Sequence, residues 1–321
     1  MFDHILVPLD GSSLAECVLP HGVAIARAFG AEVTLLRVLE RARTADRPLS
    51  VDPLDWHISR AEAQVYLAQW TQRLLDADVQ TKHSLLDGAA ADQVVDFVRD
   101  HHIDLILLSS HGQGGLGGWN VSGTVQKIIN RAYVSVMIVR AYQISESKLA
   151  DLSYRRLLLA LDRSQRAESA LPAALHLSRF YGSGLLVATV VAKPEMIRQR
   201  PFTVQELELV SRVTKLNETE ATDYLQQLVP RLSSEGVDVQ TRLLVGATAA
   251  EMLQDLATRQ QVDLVVLSAH GSSGGSKWPY GGVAVNFIAY GTTPLLIVQD
   301  LALEHPQPTL AELAAEEYKS H

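Results

Sequence analysis

The chain has 321 residues, of which 47% are hydrophobic and 20% charged, so it is long enough for two ordinary globular domains. Its formal net charge of −8 argues against non-specific binding of nucleic acid or of anionic lipid, because both need a basic face. The single cysteine excludes an intramolecular disulfide, and no apolar run approaches the length of a membrane span, so we expect a cytoplasmic protein.

The first half of the chain alternates between continuous apolar runs, which predict buried strands, and segments with apolar residues at helical spacing. Pro20 falls inside the first predicted helix and is expected to kink it. A segment rich in prolines and charges, residues 41–58, predicts a long loop. The predicted strands are 5–9, 32–39, 79–86, 105–109 and 134–139, and the predicted helices are 14–29, 59–77, 91–102 and 124–132.

The pattern then restarts, which indicates an internal duplication. Four residues of the first βα unit (Asp10, Ser12, Pro20 and Gly30) recur 152 positions later as Asp162, Ser164, Pro172 and Gly182. We therefore predict domains at 1–141 and 154–300, a linker at 142–153, and a tail at 301–321 that contains a short acidic helix. Second-half strands are predicted at 157–161, 185–191, 237–245, 264–268 and 295–298, and helices after Ser164 and at 204–232, 249–260 and 283–290.

Strands that are apolar along their whole length and alternate with helices are typical of parallel sheets covered on both faces. The predicted fold class is therefore α/β, with two tandem open, mostly parallel five-stranded sheets and helices on both faces, in a Rossmann-like arrangement.

A candidate phosphate site follows the strand at 105–109. The strand ends in Ser109-Ser-His-Gly112, and a glycine-rich loop leads to Gly123-Thr124 at the head of a helix. Small residues let the backbone approach a phosphate, Thr124 adds a hydroxyl, and the helix dipole favours the negative charge. The second copy ends in Gly281-Gly282 without that hydroxyl, so we expect binding mainly in the N-terminal copy.

An acid and a histidine recur in both copies. Asp10 and Asp162 directly follow the first strand of each copy, where a carboxylate either accepts from a ribose hydroxyl or an adenine amine, or caps the next helix. His111 and His270 have no cysteine or second histidine near them in sequence and no adjacent nucleophile, so we interpret them as loop-organising residues. No metal site and no catalytic residue are predicted.

Four stretches together resemble the universal stress protein family: Ile5-Leu-Val-Pro-Leu-Asp-Gly-Ser12, Leu35-Leu-Arg-Val38, the Ser-His-Gly loop closing in Gly123-Thr124-Val125, and Val136-Met-Ile-Val139. The resemblance covers essentially the whole chain as two fused copies. It implies an adenine-nucleotide α-hydrolase-like fold and a pocket for ATP, with or without magnesium. The residues implied to line it are Pro8, Asp10, Val38, Ser109, Gly112, Gly123, Thr124 and Val125, with Asp162, Val190, Gly271, Gly281 and Val283 in the second copy.

The sequence departs from the family pattern Gly-x-x-Gly, nine residues, Gly-Ser/Thr. Serines replace the first glycine at 109 and 268, and the first loop counts ten residues before Gly123. In the second copy Ala160 stands in place of Pro8, and Gly282 replaces the closing Ser/Thr.

The resemblance implies a stress-response regulator that binds ATP or another adenine nucleotide, with at most slow hydrolysis, because the phosphate loop has no lysine. One alternative is a nucleotide-independent scaffold that recruits an unidentified protein partner. Another is an enzyme that uses His111 or His270. The resemblance also implies that strands 136–139 and 295–298 pair within the chain as a pseudo-dimer, and it leaves a further homodimer open.

Overall fold

The computed structural model describes residues 1–40, 43–44, 47–48, 53–112, 121–141, 149–193, 203–272 and 279–300. Most of the predicted linker and the whole predicted tail at 301–321 lie outside these residues. None of the described helices is both long enough and apolar enough to cross a bilayer.

The first half follows the predicted order of elements, with one correction. The loop predicted at 41–58 is too long, because a helix already begins at Pro53. The strands are β1 His4–Pro8, β2 Glu32–Leu39, β3 Arg43–Thr44, β4 Arg47–Pro48, β5 Thr81–Asp87, β6 Leu105–Ser109 and β7 Ser135–Val139, and the helices are α1 Ser13–Glu16, α2 Leu19–Phe29, α3 Pro53–Leu75, α4 Ala90–Asp100 and α5 Gly123–Ala132.

The second half repeats this plan, with longer β9 and α8. Its strands are β8 Arg156–Ala160, β9 Gly184–Ala192, β10 Val239–Gly246, β11 Leu264–Ser268 and β12 Leu295–Val298. Its helices are α6 Gln165–Glu168, α7 Leu171–Tyr181, α8 Val204–Ser233, α9 Ala249–Arg259 and α10 Gly282–Tyr290.

Pro20 does not kink a long helix, as we had predicted, because the segment 14–29 is two helices. The α1 helix is capped by the Ser12 hydroxyl, which accepts from the Ala15 N–H, and it ends at Glu16. Pro20 lies in the first turn of α2, where a missing N–H leaves no intrahelical bond unmade. Pro172 has the same place in α7, so the proline marks a helix start in both copies.

The ten long strands that the structure describes form one sheet, in the order β10-β9-β8-β11-β12-β7-β6-β1-β2-β5. All neighbours are parallel except β7 and β12, which pair antiparallel through Val136 with Ile297, Met137 with Leu296 and Ile138 with Leu295. The predicted α/β class is confirmed, and so is the pairing of the last strands. The two predicted five-stranded sheets are continuous through this pair, which we call the central seam.

Side chains alternate between the two faces of the sheet and form two cores. One core, which includes Ile5 and Val7, packs under α2, α3, α7 and α8. The other, which includes Leu6 and Ile106, packs under α4, α5, α9 and α10. This double coverage explains why the central strands are apolar along their whole length.

The halves also meet outside the sheet. Between α2 and α7, the Tyr181 hydroxyl donates to Ala24 O at 2.7 Å, and His176 Nε2 lies 2.6 Å from Ala28 O. Beyond the end of β7, Arg140 reaches the other half and donates from Nη2 to Phe287 O at 2.7 Å and to Ile288 O at 3.0 Å. These two carbonyls belong to the last turn of α10, so Arg140 acts as its C-terminal cap.

Candidate functional site

A cavity of about 850 Å³ opens in the N-terminal half, at the carboxyl ends of β1, β2 and β6. The strand order places β2 on one side of β1 and β6 on the other, so the cavity lies where the chain switches direction across the sheet. Such switch points are the usual ligand sites of open α/β sheets. All the first-copy residues predicted from the sequence line this cavity: Pro8, Asp10, Val38, Ser109, Gly112, Gly123, Thr124 and Val125.

Asp10 holds two loops at the rim of the cavity. Its Oδ1 accepts from the Ser12 N–H at 2.9 Å and from the Ser12 hydroxyl at 2.6 Å. A Cβ placed on Gly112 would lie only 2.1 Å from Asp10 Oδ2. The capping role left open by the sequence is therefore present in the structure, and Gly112 is required by the close approach of this carboxylate.

Asp162 repeats the arrangement in the second copy, where Gly271 takes the place of Gly112. Its carboxylate accepts from the Ser164 N–H and hydroxyl and from the Ser272 N–H at 2.6 Å. Burial by itself would raise the pKa of Asp162, but the hydrogen bonds from Ser164 and Ser272 outweigh burial and leave the pKa below its usual value. Asp162 is therefore a carboxylate at neutral pH.

Gly112→Ala is expected to lower the free energy of unfolding by about 1–3 kcal/mol, because the new Cβ forces Asp10 away from Ser12. Gly123→Ala is the matched control, since a Cβ there meets no described atom within 4 Å. Urea denaturation of both variants measures the difference. Equal stabilities would contradict the role given to Gly112.

Ser109 replaces a glycine of the family pattern without offering its hydroxyl to a ligand. The Ser109 Oγ lies 2.8 Å from Leu14 O and 2.6 Å from His111 O. The added side chain is thus bound to the backbone of α1 and of its own loop. An open cavity remains beside it.

The structure corrects our alignment of the two glycine-rich loops by one residue. The Ser122 N–H donates to Ser110 O at 2.9 Å, and the Gly281 N–H donates to Ala269 O at 2.7 Å. Ser122 is therefore the counterpart of Gly281, and both loops have nine residues after Gly112 or Gly271. The ten-residue count was wrong because it started the helix head at Gly123 and ignored Ser122.

Ser122 and Gly123 form the head of α5. The Ser122 side chain caps the helix by accepting from the Val125 N–H at 3.3 Å. Gly123 is exposed to the cavity, and an ideal Cβ on it would meet no described atom within 4 Å. The fold itself does not require glycine here, so the open space at Gly123 is available to a ligand.

Val38 presents backbone groups to the cavity. Alternate residues of a parallel strand direct their N–H and C=O groups to opposite neighbours. Leu36 O accepts from Leu9 on the β1 side, and Leu39 O accepts from Gly88 on the β5 side. The N–H and C=O of Val38 therefore face the β1 side at a point beyond the end of β1, where a flat heterocycle with a donor and an acceptor can pair with them.

Two cavity residues were not predicted as ligand contacts. Arg37 lies with its guanidinium 5.3 Å above the Tyr66 ring, and no described acid forms an ion pair with it. His111 is 4% exposed, and its Nε2 is buried without a hydrogen-bond partner among the described residues. Arg37 stands in one of the family-like stretches, so its charge beside Val38 was the available signal.

The matching cavity of the C-terminal half is much smaller, about 120 Å³. It is lined mainly by alanine, valine and leucine side chains. Across the described parts of both halves, no group of three or more His, Cys, Asp or Glu side chains is placed to hold a metal ion. The predicted residues of this copy, Asp162, Val190, Gly271, Gly281 and Val283, all line the small cavity.

Comparison with known proteins gives a consistent match. The sequence model described as "Universal stress protein family" matches residues 1–140 and 153–299. The universal stress protein Sll1388 of Synechocystis is 29% identical over 154 residues, which cover 46% of this chain and 99% of that protein.

Solved structures show the same fold. A universal stress protein from Archaeoglobus fulgidus aligns over 93% of this chain and 98% of its own, with a TM-score of 0.67 at 16% identity. A shorter universal stress protein, solved in complex with cAMP, aligns over 44% of this chain and 98% of its own, at 17% identity and a TM-score of 0.35.

Proposed function

The chain belongs to the universal stress protein family, and we propose that its N-terminal copy binds an adenine nucleotide, foremost ATP, as a regulatory ligand. The observation that carries the proposal is the open cavity of about 850 Å³ at the switch point of the sheet, with the unobstructed head of α5 on its wall. Its volume lies within the range of about 300–1,000 Å³ that is usual for small-molecule sites.

The base and the phosphates have different supports in this cavity. The N–H and C=O of Val38 offer the donor and acceptor that an adenine edge needs. Two helix N-termini border the cavity, but that of α4 is already occupied, because Glu40 accepts from the Ala90 N–H at 2.6 Å. The head of α5 remains for the phosphates, and Arg37 supplies a positive charge.

A magnesium ion would enter with the phosphate oxygens, and we assign it no protein ligand. We also assign no catalytic residue, so ATP is expected to remain intact or to hydrolyse slowly. The proposed output is regulatory: the nucleotide changes the stability or the partner surface of the chain.

A single charge at the head of α5 tests the proposal. Gly123→Asp is expected to keep the fold stable, since an acid in the first turn favours a helix, and to weaken ATP binding by about 100-fold or more through repulsion of the phosphates. Adenosine, which has no phosphate, should lose far less affinity. Isothermal titration of the full chain with both ligands measures this contrast.

Two variants control the test. Gly123→Asn has nearly the size of aspartate without its charge and should retain most of the ATP affinity. Gly282→Asp places the same charge at the corresponding site of α10, where a Cβ also meets no described atom, and should leave ATP binding unchanged. Absence of ATP binding at millimolar concentration, or equal losses for Gly123→Asp and Gly123→Asn, would contradict the proposal and favour a nucleotide-independent scaffold.

A further inference from the structure

The two copies differ most at the side of the cavity where phosphates would lie. In the C-terminal copy, His270 Nδ1 lies 2.8 Å from Asp300 Oδ1, and the side chains of both residues are at most 2% exposed. Asp300 also forms an ion pair with Arg166 Nε. The positions that correspond to Arg166 and Asp300 in the N-terminal copy are Leu14 and Ala141, so this charged cluster exists in one copy alone.

The cluster makes the second copy unfavourable for phosphate. Two carboxylates, Asp162 at the rim and Asp300 behind His270, lie where the first copy has only Asp10. The guanidinium of Arg166 is already paired with Asp300. Thr189, an uncharged residue, occupies the position of Arg37, and Val283 replaces the hydroxyl of Thr124. An incoming anion would meet added negative charge and no compensating cation.

The edge that reads a base is nevertheless retained. Leu161 donates to Ala188 O, and Lys193 donates to Gly246 O on the other side of β9. By the same alternation as in β2, the N–H and C=O of Val190 face the β8 side beyond the end of β8, where Val190 lines the small cavity. Donor and acceptor therefore project into a compartment with apolar walls.

The size of that compartment selects the ligand. A cavity of about 120 Å³ is far below the usual range for a nucleotide site but close to the roughly 150 Å³ that holds one benzene ring in an engineered apolar cavity. Its walls include Ala160, Ala188, Ala249 and Leu253, which suit the faces of a flat ring.

From this combination we infer that the C-terminal copy binds a neutral purine base, of the adenine type, and excludes its phosphorylated forms. The inference rests on the proposed function for the identity of the base, because the reading edge is the one that Val38 offers in the first copy. The chain would then carry one site for the nucleotide and one for the free base, and would respond to both.

The test counts bound ligands on the full chain by equilibrium dialysis with adenine and, separately, with ATP. Ala249→Leu adds three carbons at the first residue of α9, inside the small cavity, and is expected to weaken adenine at the C-terminal copy at least tenfold. The matched control is Ala90→Leu at the first residue of α4, in the large cavity, which should leave that adenine bound. Ala160→Val, at the end of β8, fills the same small cavity if Ala249→Leu fails to fold.

We expect one adenine fewer per chain in Ala249→Leu or Ala160→Val than in the unmodified chain, and one ATP per chain in all three. Adenine counts that these substitutions do not change would overturn the inference and leave the proposed ATP site intact. Two ATP per chain, one of them lost in Ala249→Leu, would also overturn it. Loss of one adenine in a chain that binds no ATP at all would uphold the inference while refuting the proposed function.

Discussion

Arg140→Met is expected to lower the free energy of unfolding by about 3 kcal/mol, which is large for a single residue. Arg140 is 1% exposed and donates to Phe287 O and Ile288 O in the last turn of α10. Methionine fills much of the same volume but donates nothing, so buried carbonyls of the other half lose a charged donor. Urea denaturation of the full chain, followed by circular dichroism, measures the change.

Arg131→Met provides the comparison, because Arg131 is an exposed arginine of the same half whose ion pair with Asp92 lies at the surface. Its loss should cost less than about 1 kcal/mol. If the two variants were equally stable, Arg140 would not be the cap that ties α10 to the N-terminal half. A separate early unfolding transition of the C-terminal half in Arg140→Met would support that role further.

Acidification is expected to destabilise the protein through His21. This side chain is buried in α2, its Nδ1 lies 2.9 Å from the Tyr154 hydroxyl, and burial lowers its pKa from 6.5 to about 4. Below pH 6.5 the unfolded chain takes up a proton that the folded chain refuses until about pH 4. The stability supplied by neutral His21 is therefore present above pH 6.5 and is lost by about 3 kcal/mol between pH 6.5 and pH 4.

His21→Gln removes the titrating ring and should flatten this part of the pH profile of stability, even if the variant is less stable at pH 7. His4→Gln, at an exposed position, should retain the full slope. Urea midpoints collected at half-unit steps from pH 7.5 to pH 4 make the comparison. A profile that keeps its slope in His21→Gln would assign the acid sensitivity to other groups.

Much of the fold followed from the sequence because the central strands are buried on both faces. The bounds predicted for β2, β6, β11 and β12 agree with the structure, since an uninterrupted apolar run ends where burial ends. The helix predicted at 14–29 failed for a related reason. Its apolar spacing continues through the break after Glu16, and only the capacity of Pro20 to start a helix marked the second one.

The candidate site was predicted in composition but not in its asymmetry. Every residue expected from the sequence lines one of the two cavities. The register of the glycine-rich loops escaped prediction, because it depends on the hydrogen bonds of Ser122 and Gly281 rather than on matching letters. The charged cluster escaped as well, since Arg166, His270 and Asp300 are far apart in sequence and meet only when β12 is in place.

The central seam changes how mutations act on the protein. In a dimer of identical subunits, every substitution at a two-fold interface appears on both sides at once, so a harmful change is doubled. Here Val136, Met137 and Ile138 face Leu295, Leu296 and Ile297, two different sequences encoded separately in one chain. Each copy can therefore change while the other preserves the original binding surface, and covalent linkage frees one half to acquire a new ligand.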